Sequence, residues 1–383
     1  MLTTPKLYAG QNPPELAALF VGGSVVSEIG ADEQGGAPRR PPGLYDVGKL
    51  AGVSHQTVSR VLNSHPSVRP ETRKRVLDAI SQLGYRRNTA ARALVTRKSA
   101  TIGIITPASP LFGPTSTLLS MEWAARDAGY FVSVASVRLQ DRLNLSNILE
   151  HFMSQAVEGI VVIAPQDFAA EVLAKSARDV PTVVVADTPS LAQFDSVSVD
   201  QSAGASMAVT HLVELGHREI VHVSGPADWF DARARVVGWR TSMELAKLPA
   251  ARMIQGDWTA ESGYQAGIAL IGAGLPDAIF AANDEMALGL LRAFRQRGVS
   301  VPDQVSVVGF DDVAGSAYFD PPLTTVRQDF EALGTLAMRS LQEWLSGNSP
   351  RVSISQKIRP TLIVRESSGI GLNARTVRRT ARS

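Results

Sequence analysis

The chain contains no cysteine. That absence removes disulfide frameworks, thiol nucleophiles and thiolate-bound metals together, and it fits a reducing cytoplasm, the expected location. Long apolar runs are missing as well. No segment approaches the roughly 20 apolar residues that a membrane-spanning helix needs, so no membrane partner is expected. The apolar stretch 16–21 is short, has Glu15 at its edge, breaks at Gly22-Gly23 and follows only one basic residue, Lys6, which argues against an export signal. Catalytic fingerprints are scarce too: there is no P-loop, HExxH, GxSxG or dinucleotide-binding glycine motif. His211, His217 and His222 fall six and five residues apart, spacings that do not share a helix face as a metal pair would. No catalytic residue, metal site or cofactor is expected.

Net charge also looks scarce, at +2 over 383 residues, but its distribution is uneven. Residues 39–98 hold thirteen Lys/Arg against Asp46, Glu71 and Asp78, a local charge of +10. Residues 1–38 carry −3 and residues 99–383 carry −5. A basic block therefore joins a mildly acidic body. The first forty-odd residues mix small and polar types and end in Ala37-Pro38-Arg39-Arg40-Pro41-Pro42. Residues 1–43 read as a flexible extension, or as sequence translated upstream of the real start.

Between residues 44 and 83 the pattern is helical. Val47, Leu50 and Ala51 fall on one face with amphipathic spacing. Gly52-Val53-Ser54 interrupts it, glycine permitting a sharp turn and Ser54 serving as an N-cap. Val58, Val61 and Leu62 continue the spacing in a second helix. A third begins at Pro70 and runs through Val76, Leu77, Ile80 and Leu83 to Gly84. After residue 101 the rhythm changes. Short β-branched runs at 102–105, 131–134, 159–163, 182–185, 197–199, 220–223, 278–281 and 305–308 alternate with helical stretches such as 118–128, 204–215 and 286–297. Alternating β and α elements imply parallel sheets covered on both faces, and eight such runs exceed one comfortable sheet, so two α/β lobes are expected.

Two short helices joined by a glycine-containing turn describe a helix-turn-helix, whose second helix enters the DNA major groove. The charge run could merely coat a solvated three-helix domain, but +10 within sixty residues favours nucleic acid. Gln pairs with adenine and Arg with guanine, so Gln56 and Arg60 at the start of the second helix suit base reading. Leu44-Tyr45-Asp46-Val47, Ala51-Gly52-Val53-Ser54, Gln56-Thr57-Val58-Ser59-Arg60-Val61-Leu62-Asn63 and Leu83-Gly84-Tyr85 resemble the DNA-binding domain of the LacI/GalR family of transcriptional regulators. The resemblance implies that His55, Gln56 and Arg60 read bases and that Thr57 and Ser59 mainly hold phosphates. Tyr45, Ser54, Asn63 and Asn88 complete the implied DNA-contacting set. His55 departs from the tyrosine of the family's lactose-responsive branch, so the same operator sequence is not implied. Asn88-Thr89-Ala90-Ala91-Arg92-Ala93-Leu94 resembles the family's hinge helix, too short to be stable alone, with Leu94 as the wedge in the minor groove.

The likeness continues to about Arg365. Gly225-Pro226, Gly238-Trp239, Gly256-Asp257-Trp258, the run from Ala282 to Gly289, that from Val307 to Asp312 and that from Pro321 to Phe330 fall in order, most like the lactose-responsive branch. It implies a periplasmic-binding-protein-like core of two α/β lobes around a cleft, with three strands crossing between them. Arg235, Asn283 and Asp311 then match positions that bind sugar hydroxyls, Asp187 joins them with its register uncertain by one residue, and Trp258 and Phe330 match the apolar wall. The chemistry is coherent, since a sugar offers a C–H face to an aromatic ring and hydroxyls to Arg, amide and carboxylate. Spacing alone does not separate Arg235 from Arg233, or Asp311 from Asp312, and Trp258 could be core. The implied organisation is an extension (1–43), an all-α helix-turn-helix domain (44–87), hinge and linker (88–99), a two-lobed ligand-binding and dimerisation core (100–367) and a flexible basic tail (368–383). The implied activity is that of a homodimeric repressor released from operator DNA by a sugar inducer, a galactoside first. Alternatives are a co-repressor-dependent regulator, as in the family's purine-responsive branch, and a sugar-binding transport protein. The C-terminus lacks the apolar heptads that would build a tetramer.

Overall fold

The computed structural model describes residues 40–86, 98–138, 142–163, 166, 180–187, 193–347 and 353–371. Asn88, Leu94, the hinge segment 88–94, most of the N-terminal extension and the tail beyond 371 lie outside the described residues. The chain divides into two compact units, one up to Arg87 and one from Asn88 onward.

The first unit is three helices, α1 (Leu44–Ala51), α2 (His55–Leu62) and α3 (Pro70–Leu83). The Asp46 carboxylate accepts the Gly43 N–H at 2.7 Å and so caps α1. Gly52 ends that helix with φ +66°, left-handed backbone that glycine adopts without a Cβ penalty. Two residues later Ser54 Oγ accepts the Thr57 N–H at 3.2 Å and starts α2. Val47, Ala51, Val58, Val61, Val76 and Ala79 form the core. Leu50 and Leu77, expected beside them, are 46% and 50% exposed. Leu50 lies about 60° round the helix from Val47, and Leu77 about 100° round from Val76, enough to turn both off a core this small.

In the second unit, β1 (Thr101–Pro107), β2 (Phe131–Val137), β3 (Gly159–Ile163), β4 (Thr182–Val185), β5 (Asp195–Val199) and the late strand β11 (Ser355–Ile358) make one parallel sheet, ordered β11-β5-β4-β3-β1-β2. A second parallel sheet runs β7-β6-β8-β9, from β6 (Ile220–Ser224), β7 (Met253–Gln255), β8 (Ala278–Ala281) and β9 (Ser306–Val308). The connecting helices are α4 (Phe112–Asp127), α5 (Arg142–Ser154), α6 (Gln201–Glu214), α7 (Phe230–Leu245), α8 (Ala260–Ala273), α9 (Asp284–Gln296) and α10 (Phe330–Leu345). Strand β10 (Thr325–Arg327) extends the second lobe and pairs antiparallel with β12 (Thr361–Ile363). Each sheet is covered on both faces. Leu149 and Phe152 pack on one side of the first, Met121 and Leu341 on the other; Leu290 and Phe294 pack on one side of the second, Val209 and Trp239 on the other.

The chain passes between the lobes three times: from β5 into α6, from β10 into α10, and from β11 into β12. All eight strands expected from apolar runs are present. The four short strands β7, β10, β11 and β12 were not foreseen, because three or four residues such as Ser-Gln-Lys-Ile carry no readable apolar period. Four residues expected in the flexible tail belong instead to the second lobe. Residues 368–371 are stitched to the second lobe: Ser368 Oγ lies 2.9 Å from His211 Nε2, the Gly369 N–H reaches Ser306 Oγ at 3.0 Å and the Gly371 N–H donates to the Leu215 carbonyl.

Candidate functional site

Two regions gather the residues singled out by sequence. On α2, Val58 and Val61 face the core, which turns Gln56, Ser59, Arg60 and Asn63 to the opposite side. His55, Gln56, Arg60, Asn63, Ser54 and Tyr45 are exposed; Thr57 and Ser59 are half-buried. Thr57 is half-spent on the cap, its Oγ1 lying 3.0 Å from Ser54 Oγ. Tyr45, 70% exposed, holds its ring 4.5 Å from that of His55. An α1 aromatic thereby braces the first residue of α2 while both keep polar edges in solvent. Lys49 and Arg60 are exposed on the same small unit.

Between the two lobes lies a cleft of about 720 Å³, part of it open to solvent. Asp187, Arg235, Trp258, Asn283, Asp311 and Phe330 all line it, although they span nearly 150 residues of chain. Asp187 follows β4, Trp258 follows β7, Asn283 follows β8 and Asp311 follows β9. They stand at the carboxyl ends of parallel strands, where α/β folds bind ligands. Phe330 opens α10 with its ring edge-on to Phe112, 5.7 Å away, and Trp229 meets Trp258 in the same manner at 5.7 Å.

Arg235 is 3% exposed and its guanidinium is held on several sides. Its Nε donates to Gln201 Oε1 at 3.0 Å, Nη1 donates to the Ala282 carbonyl, and Nη2 lies 3.7 Å from Asp311 Oδ1. The flat face of the cation stacks 3.8 Å above Phe310, with Trp258 at 5.4 Å. Gln201 Nε2 donates to Gln328 Oε1 at 2.9 Å, and Gln328 Nε2 donates to Asp311 Oδ1 at 2.7 Å. Arg235, Gln201, Gln328 and Asp311 thus close a buried polar ring. Gln201 sits at the first crossing between lobes and Gln328 at the second. Arg233, the rival two residues away, instead donates to the Ala227 carbonyl and lies over Phe230. Asp312, the rival of Asp311, accepts from Arg327 at 2.7 Å and Arg365 at 2.6 Å, outside the cleft lining.

Burial pushes the Asp311 carboxyl upward, opposed by the neighbouring Arg235 charge. Burial also raises Asp231, one helical turn before Arg235 and facing the same cleft. Asp311 and Trp258 carry φ of +112° and +75°, rare for residues with a side chain and concentrated at functional sites. Asn283 is partly occupied: Oδ1 caps α9 by accepting the Met286 N–H, and Nδ2 donates to the Trp258 carbonyl. It therefore locks the loop carrying Trp258 as well as facing the cleft. Trp258, 5% exposed, is at once core and cleft wall. Sequence reasoning missed Gln201, Asp231, Phe112, Trp229 and Gln328. Gln328 lay inside a quoted motif two residues before Phe330; the others carried no local signal. The candidate histidines lie apart from one another in separate bonds, His211 to Ser368, His217 to the Gly369 carbonyl and His222 to the Phe280 carbonyl.

Two family models match: bacterial regulatory proteins of the lacI family over residues 43–88, and the periplasmic binding protein-like domain over residues 209–368. The lactose operon repressor of Escherichia coli K12 is 32% identical over 339 residues, covering 88% of this chain and 93% of that protein. Catabolite control protein A of Priestia megaterium is 33% identical over 317 residues, covering 82% of this chain and 95% of its own. Among solved structures, the lac repressor dimer bound to operator and the anti-inducer ONPF superposes with a TM-score of 0.80 at 32% identity, over 86% of this chain and all of that one.

Proposed function

Because the chain belongs to the LacI family of bacterial DNA-binding transcriptional regulators, we propose that it is a homodimeric repressor released from a near-palindromic operator by a small sugar, a galactoside being the first candidate. The observation that carries this reading is the cleft itself, where Arg235, Asn283, Asp187 and Asp311 offer a polar rim and Trp258 and Phe330 an apolar wall. That combination suits a ring with one C–H face and a hydroxyl edge. The likeness to a lac repressor dimer on its operator supports two copies on DNA. On α2, His55, Gln56 and Arg60 are the base readers, Thr57 and Ser59 mainly hold phosphates, and Tyr45, Ser54 and Asn63 complete the contact. Leu94 and Asn88 are assigned to the hinge on the sequence likeness alone.

Sugar binding favours one arrangement of the lobes, and the shift in operator affinity is limited by the sugar's differential affinity for the two. Replacing Arg235 by alanine is expected to abolish sugar-driven release in a gel-shift titration while operator affinity without sugar stays within a few-fold of wild type. Normal release by that variant would overturn the assignment. The same titration reads the sign of the response: tighter operator binding on adding ligand would make the protein a co-repressor-dependent regulator. Isothermal titration against β-galactosides and other neutral hexosides identifies the effector.

A further inference from the structure

The cleft contains polar atoms whose partners are missing, and their chemistry describes the ligand more closely than the aromatic wall does. Asp187 Oδ2 is buried without a hydrogen bond, and its side chain is only 10% exposed. The indole Nε1 of Trp258 is buried and equally unpartnered. Asp231 lines the same cleft and is part-exposed, so its carboxylate is open to whatever enters. Buried unpartnered atoms cost free energy until something supplies the missing partner, so they mark where a ligand's donors and acceptors belong.

The charges around them are equally informative. Arg235 is the only cation lining the cleft among the described residues. It is already matched by Asp311 and held by Gln201 and the Ala282 carbonyl. Lys357, on β11, is outside the lining and places Nζ 2.6 Å from Asp187 Oδ1. Among the described residues, three lining carboxylates, Asp187, Asp231 and Asp311, then face two cations, Arg235 and Lys357, which leaves one negative charge in excess. An anionic ligand would enter a confined space holding a surplus negative charge and, among the described residues, no further lining cation to receive it. A hydroxyl-rich neutral ligand would satisfy the orphan atoms with no charge penalty.

We propose that the cleft is selective for an uncharged polyol and rejects phosphorylated or carboxylated sugars, with Asp187 and Asp231 accepting ligand hydroxyl protons and Trp258 Nε1 donating to a ligand oxygen. This rests on the sugar reading above and deepens it. Asp231 is the specificity-determining residue, because it is the lining carboxylate that stands outside the two close ion pairs.

The test is isothermal titration of the full-length protein with matched sets of probes: methyl hexosides, their 6-phosphates and the corresponding hexuronic acids. A neutral hexoside is expected to bind, and its phosphate and uronate to bind roughly 100-fold more weakly, the scale of like-charge juxtaposition in a confined site. Asp231→Asn keeps the shape and removes the charge, so it should narrow that gap by about tenfold while weakening the neutral ligand only a few-fold. Equal or tighter binding of a phosphate or uronate by the wild type overturns the inference and leaves the sugar reading standing. So does an Asp231→Asn variant, folded by circular dichroism, whose discrimination is unchanged. Failure of every probe to bind the wild type overturns the sugar reading itself, and this inference with it.

Discussion

Asp284 is a carboxylate with no exposure at all. It accepts from Ser316 Oγ and Thr325 Oγ1, each at 2.5 Å, and from the Val313 N–H at 3.0 Å, so it ties the start of α9 to the loop after β9 and to β10. Asp284→Ala strands three buried donors and should cost about 3 kcal/mol in denaturant unfolding. Asp284→Asn should cost less, because the two hydroxyls can rotate to donate elsewhere or accept. Burial outweighs these bonds and raises its pKa from 3.8 to about 6. The folded state therefore binds this proton more tightly than the unfolded chain. Its contribution to stability is present below pH 4 and is lost as pH rises towards 6. Unfolding midpoints measured across that window should fall more steeply in the wild type than in Asp284→Asn. Adjacent carboxylates meet different fates here: Asp312 is clamped by two arginines, while Asp311 turns with φ +112° into the cleft.

At the scale of elements, the helices α8 and α9 approach so closely that glycine is required at the crossing. A Cβ on Gly289 would sit 1.9 Å from the Ala260 carbonyl oxygen, and one on Gly263 would sit 2.1 Å from that of Met286. Both obstacles are backbone, so the helices must separate to admit a side chain. Gly289→Val should lower stability by about 3 kcal/mol and shift Asn283, which caps α9 and anchors the Trp258 loop. Ligand affinity measured by titration should then fall together with the melting temperature, whereas operator binding by the separate first unit should be preserved. Tolerance of valine without loss of either would contradict this packing. The glycine was visible in the sequence, but its necessity was not, since it depends on a helix more than twenty residues away.

For the whole molecule, charge is divided between two units with different chemistry. The block at 39–98 carries +10, and the interlobe cleft lies in the acidic remainder. Operator affinity should drop on the order of a thousandfold between 50 and 200 mM salt, as expected for about six neutralised phosphates, while affinity for a neutral sugar should hardly change. A flat salt response in a filter-binding or gel-shift series would refute the assignment of the basic block to DNA. The ring of Arg235, Gln201, Gln328 and Asp311 belongs to this scale as well. It connects cleft-lining groups with two of the three interlobe crossings, the segments that any lobe movement must pass through.

Much of this was legible locally. Turn, cap and apolar spacing in residues 44–84 specify three helices because each signal acts within one or two turns of chain. Eight β-branched runs likewise announce two lobes. By contrast, Gln201 and Gln328 meet across 127 residues, and neither has a neighbour in sequence that betrays the other. The fixed distance to Trp239 already favoured Arg235 over Arg233, but finding Asp231 and Trp229 in the cleft wall required the direction of a helix face relative to a second lobe. Sequence by itself determined which elements form and where the positive charge lies, because propensity, capping and composition are short-range properties. The tertiary structure alone decided which side chains share the cleft, which charges are already matched and which buried atoms still lack a partner, because those depend on contacts between residues far apart in the chain.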